Sequence, residues 1–499
     1  MPNLGFYLTE SADRYPDDAA LRCDGVTTTY SQLADSVCRF AEFLVRQGIT
    51  PGDRVGVMVP NRPEFVVVFH SVLHEGAVVV PMNPLQSARE VAFFLSNTGA
   101  RMLFFAPECA AAATAGALAA GVRAVAIDSD AIADLTAGIA GFRRPLPRAA
   151  DDNAVILHTS GTTGVPKGAQ LTHANLSRNQ AVVAGSLLYL EPDDVVMGCL
   201  PLFHVFGMTC GLLAAMSVGA TLALLPRFDP AEALRMIAAE RVTVFEGVPT
   251  MYVAMLAAAD RCDVDVSTLR VCVSGGAAMP VEVLRAFEDR FGCTVLEGYG
   301  LSETSPAVCF NHPDTVRKVG SIGTPIDGVQ VRIVDDNGSN VPVGTPGEIQ
   351  VRGHNVMKGY WNLPDATEAT IKDGWLCTGD IGRVDGDGFY YIVDRKKDLI
   401  IRGGYNVYPR EVEDALHEHP AIAAAVVIGM PHDSLGEEVC AAVVLKRGAS
   451  AGAAELRDFV KHRVAAYKYP RRIWFVDSLP TGPTGKVLRR EVQPPVEDG

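Results

Sequence analysis

Thr159-Ser160-Gly161-Thr162-Thr163-Gly164-Val165-Pro166-Lys167-Gly168 follows an apolar run, Ala154-Val155-Ile156-Leu157. The run reads as a buried strand. A strand entering a Ser/Thr/Gly loop is a common way to hold phosphate. Glycine lets the backbone approach closely and take positive φ. Exposed N–H groups then form an anion nest, hydroxyls add donors, and lysine adds charge. The spacing differs from the usual phosphate loop, because Lys167 is followed by Gly168 rather than Ser or Thr. A plain Gly/Ser/Thr linker is the alternative reading.

Upstream, strand and helix patterns alternate. Ala20 to Cys23 and Thr27 to Tyr30 flank Asp24-Gly25, which predicts a hairpin. An amphipathic helix follows to Leu44, with Ser31 as its candidate cap. Val55 to Val59 reads as strand, Pro63 to Leu73 as helix, and Ala77 to Pro81 as strand. Ser87 to Ser96 (helix), Met102 to Phe105 (strand), residues 109–120 (helix) and Val125 to Ile127 (strand) continue the series. Residues 128–152 lose the pattern and read as a surface connection. Beta-alpha-beta alternation implies parallel sheets covered by helices.

Downstream of the loop, a helix is expected from about His173 to Leu188. No charged residue occurs from Val205 to Pro226. Glycines at 207, 211 and 219 and the lack of an aromatic belt favour a buried helix (Met208 to Ser217) and strand (Ala220 to Leu225) over a membrane span. Helices at Pro230 to Glu240 and Pro249 to Ala258 follow, with strands at Val242 to Phe245 and Arg270 to Val273.

Past residue 320 short beta-like runs alternate with turn signals at 335–338 and 385–388, as in a small antiparallel barrel. Asp394-Arg395-Lys396-Lys397-Asp398 is a charged break. Beyond it, about a hundred residues suffice for a small alpha+beta domain. Its expected elements are helix Pro409 to Glu418, strands Ala424 to Ile428 and Val439 to Leu445, helix Ala453 to Arg463, and strand Arg472 to Val476.

The chain's 499 residues exceed one ordinary core. Its net charge of −14 argues against nucleic acid or an anionic membrane as main partner. From residue 395 onward 16 Lys/Arg face 14 Asp/Glu, so the C-terminal part is relatively basic. That face reads either as a solvated surface or as a dock for an acidic partner. Eleven cysteines without CxxC or zinc spacing, and an N-terminus lacking a signal-peptide pattern, fit a cytoplasmic protein with reduced thiols.

Several patterns occur in one order: Thr159 to Gly168, Phe203-His204, Gly298-Tyr299-Gly300-Leu301-Ser302-Glu303-Thr304, Thr378-Gly379-Asp380, Asp394 to Asp398, Gly404-Tyr405-Asn406-Val407-Tyr408-Pro409, and Pro483-Thr484-Gly485-Lys486. Together they resemble the adenylate-forming superfamily of acyl-CoA synthetases, adenylation domains and luciferases, nearest its fatty acyl-CoA ligase branch. The resemblance spans nearly the whole chain. It implies an α/β core (1–393, barrel-like part about 320–393), a hinge at 394–398, and a mobile α+β domain (399–499) that swings between two half-reactions.

The implied reaction first joins a carboxylate to AMP, using Mg2+ and ATP, and then transfers the acyl group to the thiol of CoA. The loop residues Thr159, Ser160, Gly161, Thr162, Thr163, Gly164 and Lys167 would hold phosphates. Tyr299 would stack on adenine beside Gly298 and Gly300. Ser302 would donate to the α-phosphate, and Glu303, with Thr159, would hold Mg2+. Gly275, Gly276 and Ala277 would line the adenine, and Ile392 would border the nucleotide. Asp380 would accept both ribose hydroxyls, with Arg395 beside it. Lys486 would offset the repulsion between carboxylate and α-phosphate. Lys397 would be the hinge residue. Gly403, Gly404 and Tyr405 would border the pantetheine tunnel.

His204 would line the carboxylate site. Val205, Phe206, Met208, Val248, Met251, Tyr252, Ser274 and Val308 would form the acyl pocket. No basic residue among them would pair with a second carboxylate, so a monocarboxylic, mostly apolar acid is expected. A medium- or long-chain fatty acid is the first choice and a cinnamate-like aryl acid the second. An acyl carrier protein's phosphopantetheine is the alternative acceptor. A silent nucleotide binder and a luciferase-like oxidase are remote alternatives. Oligomeric state is not legible, although dimers are a family tendency.

Overall fold

The computed structural model describes residues 3–141, 144–159, 166–262, 264–432, 434–482 and 487–495. The chain divides into two compact units, Met1–Val331 with Val351–Leu376, and Arg332–Gln350 with Cys377–Gly499.

Among the described residues the first unit holds a nine-stranded and a seven-stranded sheet. In the former, Thr294–Gly300, Val271–Ser274, Val244–Gly247, Val195–Gly198, Thr221–Leu224 and Ala19–Cys23 run parallel in that spatial order. In the latter, Asn153–Thr159, Val78–Pro81, Arg54–Met58, Met102–Phe105 and Arg123–Ala126 run parallel. Helix Pro63–His74 is buried along nearly its whole length. Such a helix reads as continuously apolar because it has no solvent face. A core of Phe245, Tyr252, Phe287 and Phe291 packs the helices Pro249–Ala259 and Val281–Phe291 onto the nine-stranded sheet.

A half-barrel sheet follows, with Val329–Val334, Gly347–Gly353 and Trp375–Val384 adjacent and Tyr390–Arg395 antiparallel to the last. The C-terminal module has its own core, in which Val412, Leu416, Leu456 and Val460 of two helices meet Val427, Val439, Ala441 and Val443 of a hairpin.

The structure differs from the sequence reading in several places. Thr29, not Ser31, caps the helix Tyr30–Arg46, through a reciprocal box with Gln32. Tyr30 is already helical and wholly buried, its hydroxyl donating to Ala220 O at 2.7 Å. The unpatterned stretch at 128–152 contains a helix, Ser129–Leu135, capped by Asp128. None of that helix is buried, so it carries no apolar period. Lys167 opens a strand, Lys167–Thr172, antiparallel to Asn153–Thr159. The phosphate-type loop therefore joins two strands, with a helix only after the second. The strand expected at 242–245 lies two residues later, at Val244–Gly247. The helices expected at 173–188 and 208–217 each contain a π-helical stretch, Val183–Leu187 and Gly207–Leu213.

Among the described residues no helix is long and apolar enough to cross a membrane.

Candidate active site

The hairpin Asn153–Thr159/Lys167–Thr172 places Thr159 opposite Lys167. Ser160, Gly161, Thr162, Thr163 and Gly164 lie outside the described residues. Thr159 Oγ1 donates to Glu303 Oε1 at 3.2 Å. The Tyr360 hydroxyl donates to the same oxygen at 3.0 Å. Tyr360 stands on the short strand Gly359–Tyr360, in register with Ala169 of the hairpin. Lys167 Nζ lies over its ring, 5.0 Å from the centroid. Burial and the Glu303 carboxylate both push the Tyr360 phenol up, so it stays a donor. Thr159 and Tyr360, from two distant stretches, thus meet on one carboxylate, and Lys167 covers the tyrosine ring.

Tyr360 was not among the residues singled out from sequence. Its signal was Gly359-Tyr360-Trp361, an aromatic pair behind a glycine at φ +146°. Trp361 anchors the pair by donating Nε1–H to Asn97 O at 3.2 Å.

Glu303 sits on a 3-10 turn, Ser302–Thr304, after the strand Thr294–Gly300. That strand pairs antiparallel with Ala307–Phe310, so the chain doubles back within a few residues. The reversal explains the glycines. A Cβ on Gly300 would stand 2.0 Å from Pro306 O, and one on Gly298 2.7 Å from the Phe310 ring. Thr304 Oγ1 closes the turn by donating to Pro306 O at 2.6 Å and accepting from Leu301 N at 2.9 Å. Tyr299 and Ser302 remain half-buried beside it.

His204 begins the helix that carries Val205, Phe206 and Met208. Its Nδ1 accepts from Phe206 N at 3.3 Å. Asn61, buried and unforeseen, fixes the preceding segment. It donates to Gly198 O at 2.9 Å and Leu200 O at 2.7 Å, and accepts from Leu202 N at 2.9 Å. The Phe206 ring lies against Gly275, where a Cβ would be 2.9 Å from it. Gly276, at φ +77°, packs near Val248. The segments at 204–208, 248 and 274–277 therefore meet. Val205, Met208, Ser274 and Val308 are buried. Tyr252 is wholly buried between Phe245 and Phe287, with ring centroids 5.1 and 4.7 Å away. Met251 packs half-buried against the same core.

In the second unit, Asp380 is buried and paired in register with Arg395. Arg395 Nε meets Asp380 Oδ1 at 3.0 Å. Thr378 Oγ1 accepts from Asp380 N at 3.1 Å, and Glu348 accepts from Gly379 N at 3.1 Å. Ile392 accepts on its carbonyl from Arg410 Nη1 at 3.0 Å. Lys397 lies in the 3-10 turn Lys396–Asp398. Gly403 and Gly404, at φ +56° and +81°, form the two-residue turn between Ile400–Arg402 and Tyr405–Val407. Two positive φ angles are what a tight hairpin of this kind needs. Tyr405 is exposed and stacks on Tyr467 at 4.8 Å. Lys486 lies outside the described residues.

Residues 8–361 match the AMP-binding enzyme family, and residues 411–486 match the AMP-binding enzyme C-terminal domain. The chain is similar to a long-chain-fatty-acid–CoA ligase of Bacillus subtilis, 39% identical over 99% of this chain and 94% of that one. It is equally similar to a feruloyl-CoA synthase of an Amycolatopsis species, 39% identical over 98% of both. Among solved structures it resembles ATP-bound MatB from Rhodopseudomonas palustris, with a TM-score of 0.92 and 32% identity over 98% of both chains.

Proposed function

Because the chain belongs to the AMP-binding enzyme family and is an ATP-dependent, AMP-forming acyl-CoA ligase, we propose that it activates an apolar monocarboxylic acid and passes the acyl group to free CoA. The observation that carries this reading is the meeting of Thr159 and Tyr360 on Glu303, with Lys167 over the Tyr360 ring, at the two ends of the loop suited to phosphate.

In the first half-reaction a carboxylate oxygen attacks the α-phosphorus of ATP, and the bond to pyrophosphate breaks. The protein must bring two anions together and keep water from the mixed anhydride. The loop 159–168 cradles the polyphosphate, and Lys167 adds charge at its end. Ser302 donates to the α-phosphate, and Tyr299 stacks on adenine beside Gly275, Gly276 and Ala277. Asp380 and Arg395 take the ribose. Lys486 neutralises charge as the acid and α-phosphate meet. In the second half-reaction the CoA sulfur attacks the acyl carbon and AMP leaves. Lys397 serves as hinge, and the Gly403-Gly404 turn lets the pantetheine arm pass close to backbone.

Thr159 and Glu303 fit a magnesium ion. Both are hard oxygen donors, and the hydrogen bonds from Thr159 and Tyr360 both fall on Oε1 of Glu303, which leaves Oε2 outside these two. When bound, the ion would offset phosphate charge.

The acid's body is apolar, since Val205, Phe206, Met208, Val248 and Val308 supply its walls. A medium- or long-chain fatty acid suits such walls. The feruloyl-CoA synthase likeness favours an aryl acid as the second reading. Incubation with Mg-ATP, CoA and acids of both classes, read by mass spectrometry, tests the proposal. Acyl-CoA is expected. Acyl-adenylate that never reaches CoA would move the acceptor to a carrier protein's phosphopantetheine.

A further inference from the structure

One group in the acyl region is left without use by a purely apolar acid. Glu246 lies on the strand Val244–Gly247 and is 1% exposed. Its Oε1 has no hydrogen-bond partner among the described residues. Side chains alternate along a strand, and Phe245 is committed to the aromatic core with Tyr252 and Phe287. Glu246 therefore faces the other way, toward the π-helical stretch Gly207–Leu213 that continues from His204. Its Oε2 lies against Gly211, where a Cβ would stand 3.3 Å away.

An unsatisfied carboxyl oxygen in an apolar region is expensive. It costs about 1–3 kcal/mol if nothing meets it. Such a group calls for an occupant. Cys199 and Cys210 also neighbour the carboxyl, but Cys199 directs its thiol to the Glu246 backbone carbonyl at 3.4 Å. Burial holds the carboxyl itself protonated, its pKa raised to about 8. A neutral carboxyl both donates and accepts, and suits a neutral polar partner better than a cation. π-Helical turns recur at functional sites, where the widened turn makes room.

The position sets the partner's distance. Glu246 is next to Gly247, whose carbonyl accepts from Gly275 N at 3.2 Å, and two residues from Val248. It thus lies one step deeper in the strand than the wall where Phe206, Val248 and Gly275 meet. Gly211 follows His204 by seven residues, about 10 Å at helical rise.

We propose that Glu246 hydrogen-bonds a hydroxyl at the end of the acid remote from its carboxylate. The substrate class is then a hydroxy acid about 10 Å long from carboxylate to hydroxyl. This inference rests on the acid–CoA ligase reading. A ring-borne and a chain-borne hydroxyl share that chemistry, and the test separates them.

The test compares kcat/KM for acyl-CoA formation within matched pairs: cinnamic against para-hydroxycinnamic acid, and octanoic against omega-hydroxyoctanoic acid. The wild type is expected to prefer the hydroxy member of one pair by about 100-fold or more, because the parent acid leaves a buried polar group unpaired. The pair that responds identifies ring or chain. Glu246→Leu should abolish or invert the preference, and Glu246→Gln, which keeps a donor and an acceptor, should retain most of it. Glu246→Met, unbranched and without a hydrogen-bonding oxygen, should also lose it and serves if the leucine variant does not fold. Equal rates within both pairs in the wild type, or a preference that survives in Glu246→Leu, would overturn this inference alone. Absence of turnover with every acid would overturn the ligase reading and this inference with it.

Discussion

Thr159 donates its hydroxyl hydrogen to Glu303 at 3.2 Å across 144 residues of sequence. The contact ties the end of the strand Asn153–Thr159 to the turn that carries Glu303. Tyr360 donates to the same oxygen. Glu303→Gln should lower adenylate formation by about 100-fold or more, in line with removal of a main electrostatic group. Thioester formation from supplied acyl-adenylate should persist. Tyr360→Phe should cost about tenfold and raise the magnesium concentration needed for half-maximal rate. A Tyr360→Phe enzyme with wild-type magnesium dependence would show that the phenol does not position Glu303.

Lys486→Ala should abolish pyrophosphate release and spare thiol attack on supplied acyl-adenylate. Single-turnover assays of each half-reaction separate the two. Equal loss in both would remove Lys486 from its proposed role.

Asn61 makes three hydrogen bonds to the segment leading to His204. Asn61→Ala takes the partner from Leu200 O and Leu202 N–H, while Gly198 O keeps Leu225 N, at a cost of about 2–4 kcal/mol. Urea unfolding should show that loss. The acid's KM should rise more than that of ATP, because His204 loses its backing. Unchanged stability would mean the backbone finds other partners.

Gly300→Ala places a methyl group 2.0 Å from Pro306 O, on backbone that cannot yield locally. Stability should fall by more than about 3 kcal/mol, as with other severe overpacking. Gly185→Ala meets nothing within 4 Å. It should be neutral, or stabilise by about 0.5 kcal/mol through loss of unfolded-chain freedom. Thermal melts of the two variants provide the contrast.

Glu246 predicts a pH dependence of stability. In the unfolded chain its carboxyl ionises near the ordinary 4.5, whereas burial keeps it protonated to about 8 in the fold. Between these values the native state binds more protons than the unfolded one, so stability falls as pH rises from 4.5 toward 8. Glu246→Gln removes this contribution. Its stability advantage over the wild type should grow across that interval in urea titrations at several pH values. An advantage independent of pH would show that Glu246 ionises normally.

Much of the architecture was legible because it rests on local periodicity. Ala154 to Leu157 reads as a strand, and Pro230 to Glu240 as a helix, from residue pattern alone. The Gly298–Thr304 and Thr378-Gly379-Asp380 segments stood out through the family resemblance, and the loop after Leu157 through its Ser/Thr/Gly content. The fold gives Gly300 its physical reason, since only a residue without Cβ fits against Pro306.

What the sequence by itself determined is the order of elements and the kinds of groups offered for catalysis. What tertiary structure alone decided is which of them meet. Tyr360 reaches Glu303 because a two-residue strand pairs with the hairpin, and no period can announce a two-residue strand. Asn61 is one residue of a Pro60-Asn61-Arg62-Pro63 turn until its three backbone partners are known. Glu246 escaped notice because a two-residue shift of its strand turned an expected loop residue into a buried one. Burial and pairing are properties of space, not of sequence distance, and a carboxyl's chemistry is set by whatever surrounds it.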